Sequence, residues 1–336
     1  MRYPVKNIDL EKRIFAASED NFTSLAIELF QYQYQNNAIY RKYCNTLSID
    51  VNSVDTLQKI PFLPISFFKN SSIITTEFEA EAIFESSGTT QTVKSSHFIK
   101  DLSIYYKSFT TCFEKFYGSP KDTCILGLLP SYLERKHSSL IMMVDNLIRE
   151  SGNILSGFYL YDHEKLHSTL LHNEIFKIPT ILIGVTYALL DFAEKFPMQL
   201  HNTIIMETGG MKGHRKEMIR HQVHQKLQEQ LGVNTVHSEY GMTELLSQAY
   251  SKGDGIFSCP PWMKILIRAE DDPFTISDAK NTKTATGIIN VIDFANIYSC
   301  SFIATEDIGR LYANGSFEVS GRTDNSDTRG CGLLLL

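Results

Sequence analysis

The sequence predicts an α/β fold built on a parallel sheet. Three runs of strand length are almost continuously apolar, namely Cys124–Pro130, Pro179–Gly184 and Thr203–Met206. Strands that are buried on both faces of a parallel sheet have this composition. Segments of helical periodicity, such as Ser138–Arg149 and Tyr187–Phe196, alternate with these runs. A chain of 336 residues with 43% hydrophobic residues can bury a large core.

The N-terminal part of the chain is predicted to be helical over Leu10–Tyr43, where aromatic and aliphatic residues recur at helical spacing. Ile60–Lys69 is apolar but contains two prolines, which disfavour a helix and indicate an extended segment. The pair Ile83–Phe84 leads like a strand into a loop of serine, threonine and glycine. The helical pattern then returns over Leu102–Tyr117.

The C-terminal part is predicted to change from helices to short strands. A helix is expected over His214–Leu231 and a strand over Val233–Val236. Beyond Pro260, short strands separated by Gly, Asn and Asp are expected at Ile265–Arg268, Gly287–Ile292, Ser301–Ala304 and Ser316–Val319. We therefore predict an N-terminal helical segment (1–60) packed on the main domain, an α/β core (61–260) and a smaller β-rich subdomain (261–336).

Composition and charge exclude several classes of protein. The formal net charge is −6 and no basic block is present, so nucleic acid is not an expected partner. The N-terminus has no apolar leader pattern and no apolar run reaches membrane-spanning length. The six cysteines show no CxxC pairing and are expected to be free thiols in a cytoplasmic protein.

The loop Ser86–Lys94 carries four hydroxyl residues around Gly88, followed by a lysine. Glycine lets backbone N–H groups approach a ligand, and hydroxyls and a lysine add donors that suit a polyphosphate. A solvated turn has the same composition, so the loop alone leaves both interpretations open. It is not a Walker A loop, because the Gly-Lys-Ser/Thr ending is missing.

Four further polar stretches are expected at strand ends: Glu207–Met211, Ser238–Glu244, Thr305–Arg310 and Gly321–Cys331. A tyrosine beside a glycine can stack on a base, a Thr-Glu pair can hold phosphate and Mg²⁺, and aspartate and arginine can bind ribose. Each stretch alone could be a turn or a cap. Together with the first loop, in this order, they indicate a nucleotide site.

Two histidines of the predicted helix His214–Leu231 form a possible metal site. His221 and His224 are spaced i,i+3 on the predicted helix. Zinc would need further ligands, and no Cys or carboxylate nearby in the sequence completes a set. We therefore expect this helix face to be solvated.

With these motifs in order, the chain resembles the adenylate-forming (acyl-activating) superfamily. Ser86-Ser87-Gly88-Thr89-Thr90 and Lys94 resemble its phosphate loop, with Gln91 and Val93 departing from the pattern. Tyr240–Glu244 resembles its YGxTE motif, Glu306–Ile308 its ribose-binding aspartate motif, and Gly321–Asp324 its GRxD hinge. Within the superfamily the chain is most similar to LuxE-type acyl-protein synthetases, through Ile60–Lys69 and the ending at Arg329-Gly330-Cys331, with phenylacetate–CoA ligase as a more distant relative.

This resemblance implies the large N-terminal domain of an adenylate-forming enzyme, with parallel sheets, flanking helices and a smaller β-rich subdomain. Most members continue past the hinge into a mobile C-terminal lid with a catalytic lysine. Only fifteen residues follow Gly321 here, so we expect the lid to be absent, as in the LuxE-type proteins.

The resemblance also implies a reaction and its residues. A fatty acid, expected to be long-chain, would be activated with ATP and Mg²⁺ to acyl-AMP and transferred to a protein thiol. The implied catalytic residues are Cys331, Lys94, Glu244 and Thr243, with Glu244 as the Mg²⁺ ligand. The implied nucleotide-binding residues are Ser86, Ser87, Gly88, Thr89, Thr90, Lys94, Gly209, Gly210, Tyr240, Gly241, Thr243, Asp307 and Arg322.

Two alternatives to this reaction stay open at this point. An acyl- or aryl-CoA ligase of the phenylacetate–CoA ligase type would pass the acyl group to a soluble thiol. A non-catalytic acyl- or nucleotide-binding scaffold would explain the departures at Gln91 and Val93. The partners implied by the resemblance are the fatty acid and an acyl reductase or another acyl-acceptor protein.

Overall fold

The structure is a computed structural model that describes residues 7–86, 93–130, 134–209, 218–280 and 282–323, with side chains from Leu10 onward. Contact clustering divides the chain into two compact units. Unit 1 comprises the described residues within Met1–Phe109, Met242–Ser247 and Cys259–Phe317. Unit 2 comprises those within Thr110–Gly241, Gln248–Ser258 and Glu318–Leu336.

The α-helices of the described chain are α1 (Asn7–Ile14), α2 (Phe22–Asn36), α3 (Ala38–Thr46), α4 (Phe67–Asn70), α5 (Leu102–Tyr117), α6 (Ser139–Ser151), α7 (His163–Ile175), α8 (Thr186–Lys195) and α9 (Arg220–Leu231). Within the same ranges, no helix combines the length and the apolar character needed to cross a membrane.

The strands, in chain order, are β1 (Leu63–Pro64), β2 (Ala82–Glu85), β3 (Ser96–Ile99), β4 (Cys124–Leu128), β5 (Gly157–Phe158), β6 (Thr180–Gly184), β7 (Thr203–Glu207), β8 (Val236–Tyr240), β9 (Ala249–Ser251), β10 (Ile256–Ser258), β11 (Met263–Arg268), β12 (Ile276–Ser277), β13 (Thr284–Asp293), β14 (Phe302–Tyr312) and β15 (Phe317–Arg322).

Unit 2 contains the parallel sheet that the apolar runs predict. Strands β4 and β5, β4 and β6, β6 and β7, and β7 and β8 all pair in parallel, and helices α6 to α9 connect them in sequence. Every residue of β4 and β6 is buried, which explains why these strands lack alternating polar residues. Antiparallel β9 and β10 extend this sheet beyond β8. The carboxyl ends of β7 and β8 therefore lie side by side.

Unit 1 is built mainly on antiparallel strands. Strand β13 pairs with β11 and with β14, β11 pairs with β12, and β1 pairs in parallel with β14. A separate hairpin of β2 and β3 supports the Ser86–Lys94 loop at its open end. The hairpin register places Glu85 opposite Ser96, so the two flanks of this loop are held together.

Aromatic residues of α2 and α3 form the packing surface of unit 1, as their helical spacing predicts. Phe22 stacks on Phe294 with ring centroids 4.4 Å apart. Phe30 and Tyr40 both contact the ring of Phe302, which is fully buried on β14. Burial of each large aromatic side chain contributes about 2–3 kcal/mol to folding.

The structure differs from the sequence prediction at several elements. The end of the segment expected to be extended forms α4, α9 begins at Arg220, and β13 and β14 have ten and eleven residues where short strands were expected. The strand expected at Val233–Val236 begins at Val236. The left-handed Gly232 (φ 65°) ends α9, and the next three residues turn the chain into the sheet. Thr305–Arg310, expected at a strand end, lies inside β14. Helix α7 was not predicted, because its polar residues leave little apolar periodicity.

Candidate nucleotide site

The hairpin loop of unit 1 is closed by two serines. The Ser86 N–H donates to Ser95 O (3.1 Å), and Ser95 N–H donates to the Ser86 hydroxyl (3.0 Å). Ser86 is buried, whereas the Lys94 side chain is half exposed and forms an ion pair with Glu85 (3.2 Å). Ser86 and Lys94 thus lie at the two ends of the loop. The predicted ligands Ser87, Gly88, Thr89 and Thr90 lie outside the described residues.

Thr243 of the YGxTE-like motif is connected to this hairpin through His97 on β3. The Nδ1 atom of His97 lies 2.9 Å from Thr243 O, and its Nε2 atom lies 2.8 Å from Ser299 Oγ. Burial lowers the pKa of His97 to about 4, although its hydrogen bond to Thr243 acts in the opposite direction. The ring is therefore neutral near pH 7. Since Thr243 O only accepts, Nδ1 carries the proton and Nε2 accepts from Ser299.

The backbone after Thr243 is held by two buried side chains. Asn296 donates from Nδ2 to Glu244 O (2.8 Å) and accepts from Leu246 N–H (3.1 Å). The Asp293 carboxylate accepts from Leu246 N–H, from Ser247 N–H and hydroxyl, and from Ala295 N–H, at 2.6–3.0 Å. Burial nevertheless raises the pKa of Asp293 to about 6. These contacts fix the main chain on both sides of the Glu244 side chain, which is itself buried.

Asp307, the predicted ribose ligand, is a buried residue in the middle of β14. Its backbone N–H donates to Thr305 Oγ1 (3.1 Å), which in turn donates to Ile289 O on β13 (2.7 Å). The position of Asp307 is therefore set by strand pairing and by one threonine rather than by a loop.

In unit 2, the predicted adenine loop follows β7 and is shaped by Glu207. The buried Glu207 carboxylate accepts from Gly209 N–H (2.7 Å) and from the Thr186 hydroxyl (3.1 Å). Gly209 adopts the left-handed region (φ 75°), where a side chain would be strained. Gly210, its predicted partner at adenine, lies outside the described residues.

Arg220 and His224, both on α9, complete the surroundings of Glu207. Arg220 Nε lies 3.5 Å and His224 Nε2 lies 3.7 Å from Glu207 Oε1. Burial would raise the pKa of Glu207, but the contact with His224 and the charge of Arg220 outweigh it and hold the pKa at about 2. The expectation that both helix histidines are solvated is wrong for His224, which is buried, and right for His221, which is exposed.

Arg220 also connects the β7 end to the strand that carries the hinge-like motif. Its Nη1 donates to Val319 O on β15 (2.9 Å), and its guanidinium lies over the Phe257 ring (5.2 Å to the centroid). The predicted ribose ligand Arg322 is half-buried at the end of the same strand. The predicted acceptor Cys331 lies outside the described residues.

Tyr240 and Gly241 stand at the end of β8. Tyr240 is buried, and its ring meets Phe257 edge-on with centroids 5.9 Å apart. A Cβ atom at Gly241 would collide with the Glu239 carboxyl, so glycine leaves room for that group. Burial, and then the charge of Glu207, raise the pKa of Glu239 to about 8. Two neighbouring carboxyls thus differ in charge at neutral pH: Glu207 is ionised and Glu239 is mostly protonated.

Glu244 is a chemically suitable ligand for Mg²⁺, because this ion commonly uses one or two carboxylates together with substrate phosphates. Among the residues that the structure describes, no group of three His, Cys, Asp or Glu side chains could hold a metal ion by itself. A single carboxylate such as Glu244 suits an ion that is also coordinated by substrate phosphates.

Sequence reasoning missed His97, Asp293, Asn296 and Arg220. Each lies outside the motifs, and each acts on a residue far away in sequence; His97 and Thr243 are 146 positions apart. Glu207 is inside a stretch that was singled out, but no role was predicted for it. For Asp293, the available signal was its position directly after the predicted strand Gly287–Ile292, whereas His97 lies in β3, a strand that the sequence did not predict.

The raised pKa of the Glu239 carboxyl predicts that the stability of the protein depends on pH. Its pKa is raised from the ordinary 4.5 to about 8 in the folded state, so ionisation disfavours folding progressively as the pH rises through this window. Glu239→Gln cannot ionise. We expect it to match the wild type at pH 5 and to exceed its unfolding free energy by at least about 1 kcal/mol at pH 9.

Urea denaturation at both pH values measures this difference. Glu270→Gln, at an exposed position, is the control and should show no pH-dependent gain. An equal effect of Glu239→Gln at pH 5 and pH 9 would contradict the buried, protonated carboxyl.

Comparison with known proteins shows a family similarity over the N-terminal part of the chain and a shared fold. A family model described as "Acyl-protein synthetase, LuxE" matches residues 5–137. A long-chain-fatty-acid–luciferin-component ligase from Photorhabdus luminescens is 36% identical over 66 residues, which are 19% of this chain and 56% of that protein. The chain thus spans a little over half the length of this curated relative.

Solved structures extend the similarity to most of the chain. A 2-hydroxyisobutyryl-CoA ligase in the postadenylation state superposes with a TM-score of 0.64 at 11% identity, over 98% of this chain and 75% of that one. ATP-bound MatB from Rhodopseudomonas palustris gives 0.54 at 16% identity, over 74% and 50%. At such identities the likeness concerns the fold alone. The comparisons thus agree with the predicted resemblance: residues 5–137 are similar to the LuxE acyl-protein synthetase family, and the chain shares the fold of these two ligases.

Proposed function

We propose that this protein is an ATP-dependent, AMP-forming acid–thiol ligase that activates a long-chain fatty acid and transfers it to a protein thiol. The observation that carries the proposal is the match of residues 5–137 to the acyl-protein synthetase family, a segment that includes the Ser86–Lys94 loop. The named activity of the Photorhabdus luminescens relative, a long-chain-fatty-acid ligase, supports the choice of substrate.

In the proposed first step, a carboxylate oxygen of the fatty acid attacks the α-phosphorus of ATP, and pyrophosphate leaves. Both reactants are anions, so the protein has to position them and neutralise charge. Ser86, Ser87, Thr89, Thr90 and Lys94, around Gly88, would hold the β- and γ-phosphates. Thr243 would hold the α-phosphate, and Glu244 would bind the Mg²⁺ that arrives with ATP.

The nucleoside would be recognised by the remaining predicted residues. Gly209, Gly210, Tyr240 and Gly241 would flank adenine, and Asp307 and Arg322 would hold the ribose. The fixed backbone of Gly209 supports its part in this assignment, because a preformed loop loses little entropy on binding.

In the proposed second step, the Cys331 thiolate attacks the acyl carbonyl of acyl-AMP, a thioester forms and AMP leaves. The thiol proton is lost to solvent beforehand, since the thiolate is the nucleophile. The described cysteines are poor alternatives, because burial raises the pKa of Cys44, Cys124, Cys259 and Cys300. The thioester would then pass to an acyl reductase or another acceptor protein, and we expect a cytoplasmic location for both.

The thioester predicts a covalent adduct that depends on one cysteine. After incubation with ATP, Mg²⁺ and a panel of fatty acids, intact-protein mass should rise by one acyl group, and neutral hydroxylamine should remove it. Cys331→Ser should abolish the adduct and still release pyrophosphate. Cys259→Ser, at the half-exposed described cysteine, is the matched control and should keep the adduct.

Other outcomes of this experiment distinguish the alternative functions. Acyl-AMP without an adduct, converted to acyl-CoA on addition of coenzyme A, identifies a CoA ligase. ATP binding with neither product identifies a non-catalytic nucleotide-binding protein. An adduct that survives in Cys331→Ser contradicts the assignment of the acceptor.

Replacing Lys94 should weaken ATP binding without lowering the stability of the protein. Its ion pair with Glu85 is half exposed, and such pairs contribute about 0–1 kcal/mol. A charged contact to phosphate contributes about 1.5–3 kcal/mol. Lys94→Met should therefore raise the KM for ATP by about tenfold or more while the Tm stays close to that of the wild type.

Lys59→Met is a closely matched control for this substitution. Lys59 also lies in unit 1, is exposed to the same degree (53% against 52% for Lys94) and pairs with Asp55 at 2.9 Å. Steady-state kinetics of pyrophosphate release should show no change in its KM. If both variants change the KM equally, Lys94 does not bind the triphosphate.

A further inference from the structure

His97 is the buried side chain in unit 1 that connects the loop hairpin with the Thr243–Glu244 motif. It belongs to β3, three residues after Lys94, and only 1% of its surface is exposed. One cavity, lined by His97, Leu246, Asn296 and others, has a volume of about 10 Å³, which is room for one water molecule. Because the ring itself is so little exposed, we assign His97 no direct contact with a substrate.

The ring has a definite tautomer and a definite orientation. Its Nδ1–H donates to Thr243 O, its Nε2 accepts from the Ser299 hydroxyl, and Phe68 packs edge-on against it with centroids 5.5 Å apart. All three contacts lie within unit 1; those with Ser299 and Phe68 are buried, and that with Thr243 is partly buried. Few side chains other than a neutral histidine satisfy a carbonyl on one side and a hydroxyl on the other in so compact a space.

The contact with Thr243 O determines the orientation of the peptide between Thr243 and Glu244. The next anchors along the chain are Asn296 on Glu244 O and Asp293 on Ser247. His97 thus acts at the residue proposed to hold the α-phosphate, whereas the other two anchors act after it. Displacing a reacting group by about 1 Å can cost about a hundredfold in rate.

We infer that His97 is a positioning residue for the adenylation step, which acts by holding the Thr243 backbone against the phosphate-loop hairpin. This inference rests on the proposed function, because it assigns Thr243 to the α-phosphate. It adds a residue outside the motifs, and it links the hairpin to Thr243 through the hydrogen bond from His97 Nδ1 to Thr243 O.

Two amide substitutions separate this role from a purely structural one. The Asn amide takes the place of Nδ1, so His97→Asn keeps the donor to Thr243 O and loses the contact with Ser299. The Gln amide reaches the place of Nε2, so His97→Gln keeps the contact with Ser299 and loses the donor. Each variant loses one buried hydrogen bond, so both should be destabilised to a similar extent.

The expected result is a difference in kinetics between two variants of similar stability. His97→Gln should lower the kcat for fatty-acid-dependent pyrophosphate release by about tenfold or more and weaken ATP binding in calorimetry. His97→Asn should stay within about threefold of the wild type for both. Ser299→Ala, which leaves His97 in place, should resemble His97→Asn and serves if either amide variant fails to fold.

A double-mutant cycle with Thr243→Ala tests whether His97 acts through Thr243. Thr243→Ala keeps the backbone carbonyl and removes the hydroxyl, so adding His97→Gln to it should cause little further loss of kcat. Equal kinetic losses for His97→Gln and His97→Asn, or fully additive losses with Thr243→Ala, would overturn the inference.

The same measurements distinguish a failure of this inference from a failure of the proposed function. If the wild type binds ATP but releases no pyrophosphate with any fatty acid, the proposed function fails. The role of His97 is then decided by ATP affinity, where His97→Gln but not His97→Asn should weaken binding. If the wild type binds no ATP at all, both are overturned.

Discussion

The buried Asp293 carboxylate is the constraint on which the backbone after the Thr243–Glu244 motif depends. Four donors converge on it, three of them from Leu246 and Ser247 directly after the Thr243–Glu244 motif. Removing a carboxylate from water is costly, and the raised pKa of about 6 indicates that the donors offset this only in part. These four hydrogen bonds hold the main chain beside the motif.

A similar arrangement of buried polar groups holds the loop of unit 2. Glu207 accepts from Gly209 N–H and Thr186, and Arg220 places a positive charge beside it while His224 lies in contact with it. Asp293 is held mainly by backbone N–H donors, and burial raises its pKa to about 6. For Glu207, the contact with His224 and the charge of Arg220 outweigh burial and keep its pKa low. In both units, the residues proposed to bind substrate are flanked by buried side chains that fix the backbone.

The sequence was sufficient for the elements whose pattern is local. Fully apolar β4 and β6 and the amphipathic α5 were predicted with nearly correct bounds, because burial alone dictates their composition. The motif residues were recognisable by their order along the chain. His97, Asn296 and Arg220 were not, because their function arises from contacts with residues tens to hundreds of positions away. The sequence alone does not show whether a histidine is buried or exposed.

The proposed function requires that this protein forms an acyl-adenylate. Isotope exchange between pyrophosphate and ATP tests this requirement most directly. Reversible adenylation predicts that labelled pyrophosphate enters ATP only when a carboxylic acid substrate is present, and that AMP is the nucleotide product. Exchange that requires no acid, or formation of ADP and phosphate in place of AMP and pyrophosphate, would contradict the account.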